Sequence, residues 1–598
     1  MRSTTRTLAL ALAGALLAAC GHKDKDAPLA FVPADTPYVV ANLDVLDDAT
    51  RRALLAPADA QLPGQLDDLR HAADDLAARD PDGARLLRAV AAELDGKTIE
   101  SFAQSAGLDI KGYSALYGLG LAPVLRFELT DARTFEAFVG RLESAYGKKL
   151  DTAAIGGQSY RRHVSAGTGT QLILAVAGKQ AVAAVLPADA PAPLLRQALG
   201  LDRPARSLQD EGRLEQLAKA KDYRKWVVGA VDFTRALPLL ADGGDPLVGA
   251  LVKARAEAES AKTGEPVANQ LQIPPACRDD AVRIAGRVPS TSFGYTRLDA
   301  RHQDLRWDVA LAPDITQAFA GLKVELPGLG DTPAQAPFDL SLALPVAPLR
   351  SFWSAQAEAV AARPFGCPLL LDLNDTFARL GALAQKAAIP PFGDLLGVHV
   401  ALDSLQPGKD GRLPAVSGRL LLGTSNPAGL FAMGQMMNTA LAKLKLAPDG
   451  KPVPLPDDMK AVIDQPAWMA MGAKALALGV GPGQDAKLAD MLKAPGGDAG
   501  RLLRAHLDGG MYLDWVTLLQ QRTDAIVAAT AALGKDDDAD QGGDKATDDA
   551  DKEAAAAQAR LKARFDTLRA QAARIQSLGG EAHVDQHGLV VTSQTELK

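Results

Sequence analysis

Two kinds of apolar pattern alternate along this chain. Short apolar runs bounded by Gly, Pro, Asp or Asn read as strands, and apolar residues three and four apart read as helices buried on one face. The run at 122–129 leads through Thr130-Asp131 into a helical stripe of Phe135, Phe138 and Leu142. Asp131 suits an N-cap, because its carboxylate can accept the free N–H groups of the first turn. The same succession returns at 417–423, with Ser425-Asn426 at the cap and Leu430, Met433 and Met437 as the stripe.

The recurrence extends along most of the chain. Asp35-Thr36-Pro37 precedes an extended run at 38–43, and Asp331-Thr332-Pro333 precedes another at 338–342. A hairpin at 172–177 and 181–186, turning at Gly178-Lys179, matches one at 468–471 and 475–480. A helix follows each hairpin, at 191–199 and 485–492. Val231-Asp232-Phe233 is matched to Leu513-Asp514-Trp515, and a closing hairpin near His302 to one near His587. Landmarks that keep their order point to a tandem duplication. The expected fold is α+β: two duplicated lobes, each mostly antiparallel sheet with flanking helices. Lobe 1 is placed at 31–320 and lobe 2 at 338–598. A hinge is expected over 321–337, where 328–337 is rich in Gly, Pro and Asp. Residues 535–552 hold eight Asp and three Lys, a composition expected to form a disordered solvated loop within lobe 2.

The first residues carry a different signal. Arg2 and Arg6 are followed by an uncharged apolar stretch over 7–19, too short to span a bilayer but suited to a secretory signal. It ends Leu17-Ala18-Ala19-Cys20-Gly21, which resembles the bacterial lipobox. The resemblance implies that 1–19 is a cleaved signal peptide and that Cys20 is lipidated on its thiol and its new amine. Gly21, where an Asp would favour inner-membrane retention, implies the outer membrane, with the protein facing the periplasm. Residues 20–30 then form the lipidated Cys and a polar tether. The opening Phe31-Val32-Pro33-Ala34-Asp35-Thr36-Pro37-Tyr38 also resembles the start of a family of uncharacterised proteobacterial lipoproteins, which implies location and no activity.

Composition narrows the partners. The net charge of −7 gives no basic footprint for nucleic acid. Loss of the signal peptide would make it −9, and the 535–552 segment alone contributes −5, so the remainder is nearly balanced. No apolar run reaches the length of a spanning helix. Besides Cys20 there are two cysteines, Cys277 and Cys367, both in loop-like sequence. In an oxidising periplasm an even pair suggests a disulfide, with two free buried thiols as the other reading.

Candidate chemistry is thin. Hydrophobic-Asp-hydrophobic recurs at Asp44, Asp232, Asp372 and Asp514, where helix capping is favoured over a metal or acid–base cluster. His583 and His587 share helical spacing but sit among glycines in a hairpin, with no third ligand near. Gly479-Val480-Gly481-Pro482-Gly483 lacks the glycine a dinucleotide loop needs at 484, and Gly96-Lys97-Thr98 reads as a helix end. Asp538-Ala539-Asp540 with Asp549 departs from a calcium loop at its fifth and twelfth places. All eight internal Met fall between Met433 and Met511. Core packing is the favoured reading, while Met433, Met436, Met437, Met469 and Met471 are the candidates for an adaptable apolar ligand site or partner groove. Neither cofactor nor metal is indicated. Three functions remain: a non-enzymatic envelope scaffold or accessory protein with unknown envelope partners; a carrier of an apolar, lipid-like small molecule; and, distantly, an envelope hydrolase.

Overall fold

A computed structural model describes residues 25–598, apart from 79, 166, 265, 267–272, 388, 407–414, 457–464 and 538–545. Its contacts divide the chain into two units. Unit 1 runs to Ala312 and takes in Phe365–Leu371; unit 2 comprises Pro313–Pro364 and Asp372–Lys598.

Unit 1 is built on ten strands: β1 (Tyr38–Ala41), β2 (Ser114–Leu119), β3 (Ala122–Glu128), β4 (Asp151–Ile155), β5 (Gln158–Ser165), β6 (Thr170–Ala177), β7 (Gln180–Pro187), β8 (Val228–Asp232), β9 (Ser290–Leu298) and β10 (His302–Ala310). Their spatial order is β4-β5-β6-β7-β3-β2-β1-β8-β9-β10, and every pairing is antiparallel. Successive residues of a strand face opposite sides. One side of this sheet, the inner face, carries Val39, Ala41, Ala115, Tyr117 and Val124 against Leu195, Leu199 and Leu214. The other, the outer face, carries Leu125 and Phe127, covered by Leu108. The helices Pro81–Leu94 and Ala132–Tyr146 pack beside it on Ala181. Asp131 caps the second of these as its sequence suggests, accepting the N–H of Arg133 and Thr134.

Unit 2 has β11 (Phe338–Ala343), β12 (Leu395–Gln406), β13 (Ala415–Thr424), β14 (Val453–Pro454), β15 (Ala467–Met471), β16 (Ala475–Val480), β17 (Arg501–Asp508), β18 (Ile575–Val584) and β19 (Gly588–Leu597). The order is β14-β15-β16-β13-β12-β11-β17-β18-β19, again antiparallel throughout. Strand for strand this is the order of unit 1 without β4. Single hydrogen bonds fix the correspondence. Leu129 N–H donates to the Lys179 carbonyl and Thr424 N–H to that of Lys474, both at 2.8 Å. Asp232 N–H donates to the Pro37 carbonyl and Asp508 N–H to that of Pro337, both at 2.7 Å.

The last pair of bonds corrects one landmark. The partner of Asp232 is Asp508, at the end of β17, and not Asp514. Leu513-Asp514-Trp515 lies inside the helix Gly509–Asp537, where helical rather than strand spacing governs it. The expected hinge is also packed. Val324, Leu326 and Leu329 are fully buried in the unit 2 core, because apolar residues sit between the Gly and Pro that suggested a linker. Both ends of the acidic loop expected over 535–552 are helical, in Gly509–Asp537 and Ala546–Arg574, and only 538–545 lies outside the described residues. The body of unit 1 likewise begins before residue 31: Pro28–Phe31 is a turn of 3-10 helix with Pro28 and Ala30 buried.

Candidate functional site

Unit 2 differs from unit 1 on both faces of its sheet. On the inner face, Asp339 and Ser341 of β11 and His399 of β12 are all buried. The matching positions in unit 1 are Val39, Ala41 and Ala115, since Ser341 pairs with His399 as Ala41 pairs with Ala115. His399 Nε2 is 2.8 Å from Asp339 Oδ1, and Nδ1 is 3.1 Å from the Pro327 carbonyl. Both ring nitrogens thus lie within hydrogen-bond distance of an acceptor. The Ser341 hydroxyl is buried without a hydrogen-bond partner. A nucleophile needs a hydrogen bond to its base, and none joins Ser341 to His399. The three residues that carry the letters of a catalytic triad are therefore not arranged as one.

Burial pushes the Asp339 carboxyl up, but the His399 hydrogen bond and charge, the Gln335 N–H and the Arg504 charge outweigh it and hold the group below its ordinary value. A depressed carboxyl stabilises the fold above its unfolded pKa, about 4, and loses that contribution as pH falls through the folded value. Unit 2 followed by tryptophan fluorescence through an acid titration is expected to lose stability below about pH 4. Asp339→Asn, which cannot titrate, should flatten that part of the profile.

A second inner-face network explains the glycine loop. Arg419 Nη1 donates to Gln484 Oε1 at 2.9 Å and to Asp403 at 3.1 Å. Gln484 Nε2 donates to Asp403 at 2.6 Å and to Ser417 at 2.9 Å. Gly481, at φ 105°, lies so close to Ser417 that a Cβ would collide with its hydroxyl at 2.4 Å. Gly479 and Gly481 let this network close.

The outer face is where the units part most. Leu420 and Leu422 of β13 correspond to Leu125 and Phe127. The unit 1 pair is 7% and 9% exposed, and the unit 2 pair 37% and 38%. The cause is local. In unit 1 the segment after the helix Ile99–Ser105 bridges Leu108 to Leu129 and lays Leu108 over Leu125 and Phe127. In unit 2 the residue paired with Thr424 is Leu395, the first residue of β12 itself, and among the described residues no buried apolar cluster takes in Leu420 or Leu422. The helices around this face leave more apolar surface open. Gly509–Asp537 presents Trp515, 5.4 Å from Phe338, and Leu519. Pro427–Met437 presents Met436 and Met437, each 80% exposed.

In comparisons with known proteins, no family model, no curated protein and no solved structure matches this chain.

The structure disposes of the sequence candidates individually. Cys20 and Asp538 lie outside the described residues, and Asp549 is in the helix Ala546–Arg574. Cys277 and Cys367 are bonded, their Cα atoms 4.4 Å apart; Cys277 is in the first turn of the helix Pro275–Arg287 rather than in a loop. Of the four recurrent Asp residues only Asp232 caps a helix, accepting from Thr234 and Arg235. Asp44 accepts the N–H of Val45, while Asp47 caps the following helix; Asp372 and Asp514 lie within helices. His583 and His587 flank a turn held by Asp585, and among the described residues no three His, Cys, Asp or Glu gather as a metal site. The five Met candidates do not converge. Met471 is buried and Met469 partly buried beneath Phe431, Met433 is half-buried, and Met436 and Met437 are exposed. Met437 thus does not occupy the buried place of Leu142: its helix ends at that residue, and Phe431 is the anchor instead. The open Leu420 and Leu422 escaped the sequence, since nothing in β13 itself differs in pattern from β3.

Proposed function

We propose that this chain is an envelope lipoprotein, anchored in the outer membrane through lipidated Cys20 and facing the periplasm, that acts as a scaffold or accessory protein by binding rather than catalysis. We infer also that its two units descend from one ancestral unit, which has kept its outer sheet face closed in the first copy and open in the second. The open face of unit 2 is the binding surface, and its partner is an envelope protein with a complementary apolar surface. The observation that carries this is the exposure of Leu420 and Leu422 at positions whose unit 1 counterparts are buried. Exposed apolar surface of this kind is retained where something covers it.

The same face favours a second reading, an apolar small molecule such as a lipid, because Met436 and Met437 offer an adaptable surface beside it. Native mass spectrometry of the membrane-extracted protein separates the two: a lipid mass released on denaturation favours the carrier, and a bare chain favours the protein partner. Leu422→Glu is a sharper probe. The residue is 38% exposed, so the substitution gives up part of an apolar burial, about 1–2 kcal/mol, and should leave unit 2 folded. It should nonetheless abolish partner binding, because a carboxylate would be desolvated without a counter-charge. A variant that folds and still binds normally would remove unit 2's outer face from the proposal.

A further inference from the structure

The first residues the structure describes are already fastened to unit 1. The Gln180 side-chain amide donates to the Asp26 carbonyl at 2.5 Å. The Arg203 guanidinium bonds the Asp26 carboxylate and the Lys25 carbonyl. Ala27, Ala30 and Val32 are buried, and the Phe31 ring lies against the guanidinium groups of Arg126 and Arg203, 4.0 and 4.5 Å from its centroid. Chain held by buried side chains, an ion pair and two cation–π contacts does not serve as spacer. Only the six residue steps from Cys20 to Asp26 remain. At full extension they reach about 20 Å.

This short reach gives unit 1 an orientation. Gln180 opens β7, so Asp26 is fixed beside the exposed Gly178-Lys179 turn. Arg203, at the start of the 203–206 loop, holds this stretch of chain, and Arg206 lies further along it, its carbonyl accepting the Ala34 N–H at 3.0 Å. Lys25, Lys179 and Arg203 are exposed there, with Asp26 paired to Arg203. Cationic groups at a membrane surface are attracted to phosphate headgroups. The opposite end of β7 leads to exposed Asp189, about 27 Å away along eight strand residues.

We propose that the edge of unit 1 formed by Lys25, the Gly178-Lys179 turn and Arg203 is a bilayer-facing surface, held against phospholipid headgroups by the short reach from Cys20. The proposal rests on the reading of Cys20 as the lipid anchor. Full-length protein extracted from membranes is reconstituted into phosphatidylethanolamine–phosphatidylglycerol vesicles that carry a headgroup spin label. A fluorescent amino acid replaces Lys179 in one sample and Asp189 in another. Quenching is expected to be several-fold stronger at 179 than at 189. Equal quenching, or stronger quenching at 189, overturns the proposal. The mass of the N-terminal peptide from the same sample tells which idea has failed. An acylated Cys20 with equal quenching removes the bilayer-facing edge alone, and an unacylated Cys20 removes the anchor reading with it.

Discussion

Replacing Cys277 and Cys367 together by alanine is expected to destabilise unit 1 by about 4–5 kcal/mol on the chain-entropy model. The bond closes a loop across 90 residues of sequence, and both residues belong to unit 1 although the chain between them visits unit 2. Without it, the returning segment Phe365–Leu371 keeps non-covalent ties to the helix Pro275–Arg287. Asp280 Oδ2 accepts the N–H of Gly366 at 2.8 Å and of Cys367 at 2.9 Å, and the Arg283 guanidinium lies 4.0 Å from the Phe365 ring centroid. These ties place the segment but do not shorten the unfolded chain. Two units need not unfold together, so one global midpoint would blur the effect. Hydrogen exchange resolved on the helix Pro275–Arg287 is the suitable reading. Protection there should fall steeply in the double variant; unchanged protection would show that the local ties suffice.

His399→Ala is expected to cost unit 2 about 3–5 kcal/mol, the range for removing one partner of a buried ion pair. The loss leaves the Asp339 carboxylate, 6% exposed, with the Gln335 N–H as its remaining hydrogen bond. It also frees the Pro327 carbonyl, which His399 holds. Unit 1 supplies the control. At the matching positions it has Val39 and Ala115, so Asp339→Val added to His399→Ala rebuilds in unit 2 an apolar pair that unit 1 already packs. The double variant should regain part of the lost stability, because an apolar pair carries no desolvation penalty. Urea unfolding followed by tryptophan fluorescence checks both. A double variant less stable than His399→Ala alone would mean that the pair contributes through packing and not through charge.

The legible part of this fold was the part written by period and cap. Alternating apolar runs placed the strand pairs, and the caps Asp131 and Asn426 placed the helices that follow β3 and β13. The order of landmarks anticipated a strand order that recurs in the two units. What failed were places where one-dimensional pattern and packing disagree. Val324, Leu326 and Leu329 are core residues set among Gly and Pro, and punctuation hid them. Asp514 copies the sequence of Asp232 but sits on a helix, where the same three letters have a different geometry. The candidate site was the least legible. Leu420 and Leu422 look like any strand residues; their exposure depends on how a distant segment enters β12, and no local pattern reports that. The polar trio Asp339, Ser341 and His399 was equally hidden, because His399 is 60 residues from Asp339 and the two strands meet only through their register.

The most direct test of the binding face is position-specific photo-crosslinking in living cells. A photoreactive amino acid replaces Leu422 in the full-length protein and, in a separate strain, Leu125, its buried counterpart in unit 1. Leu422 is expected to yield one adduct of discrete mass, lost when Leu420→Glu is added, while Leu125 yields none. An absence of adduct at Leu422, or equal adducts at both positions, would contradict a binding role for the open face of unit 2.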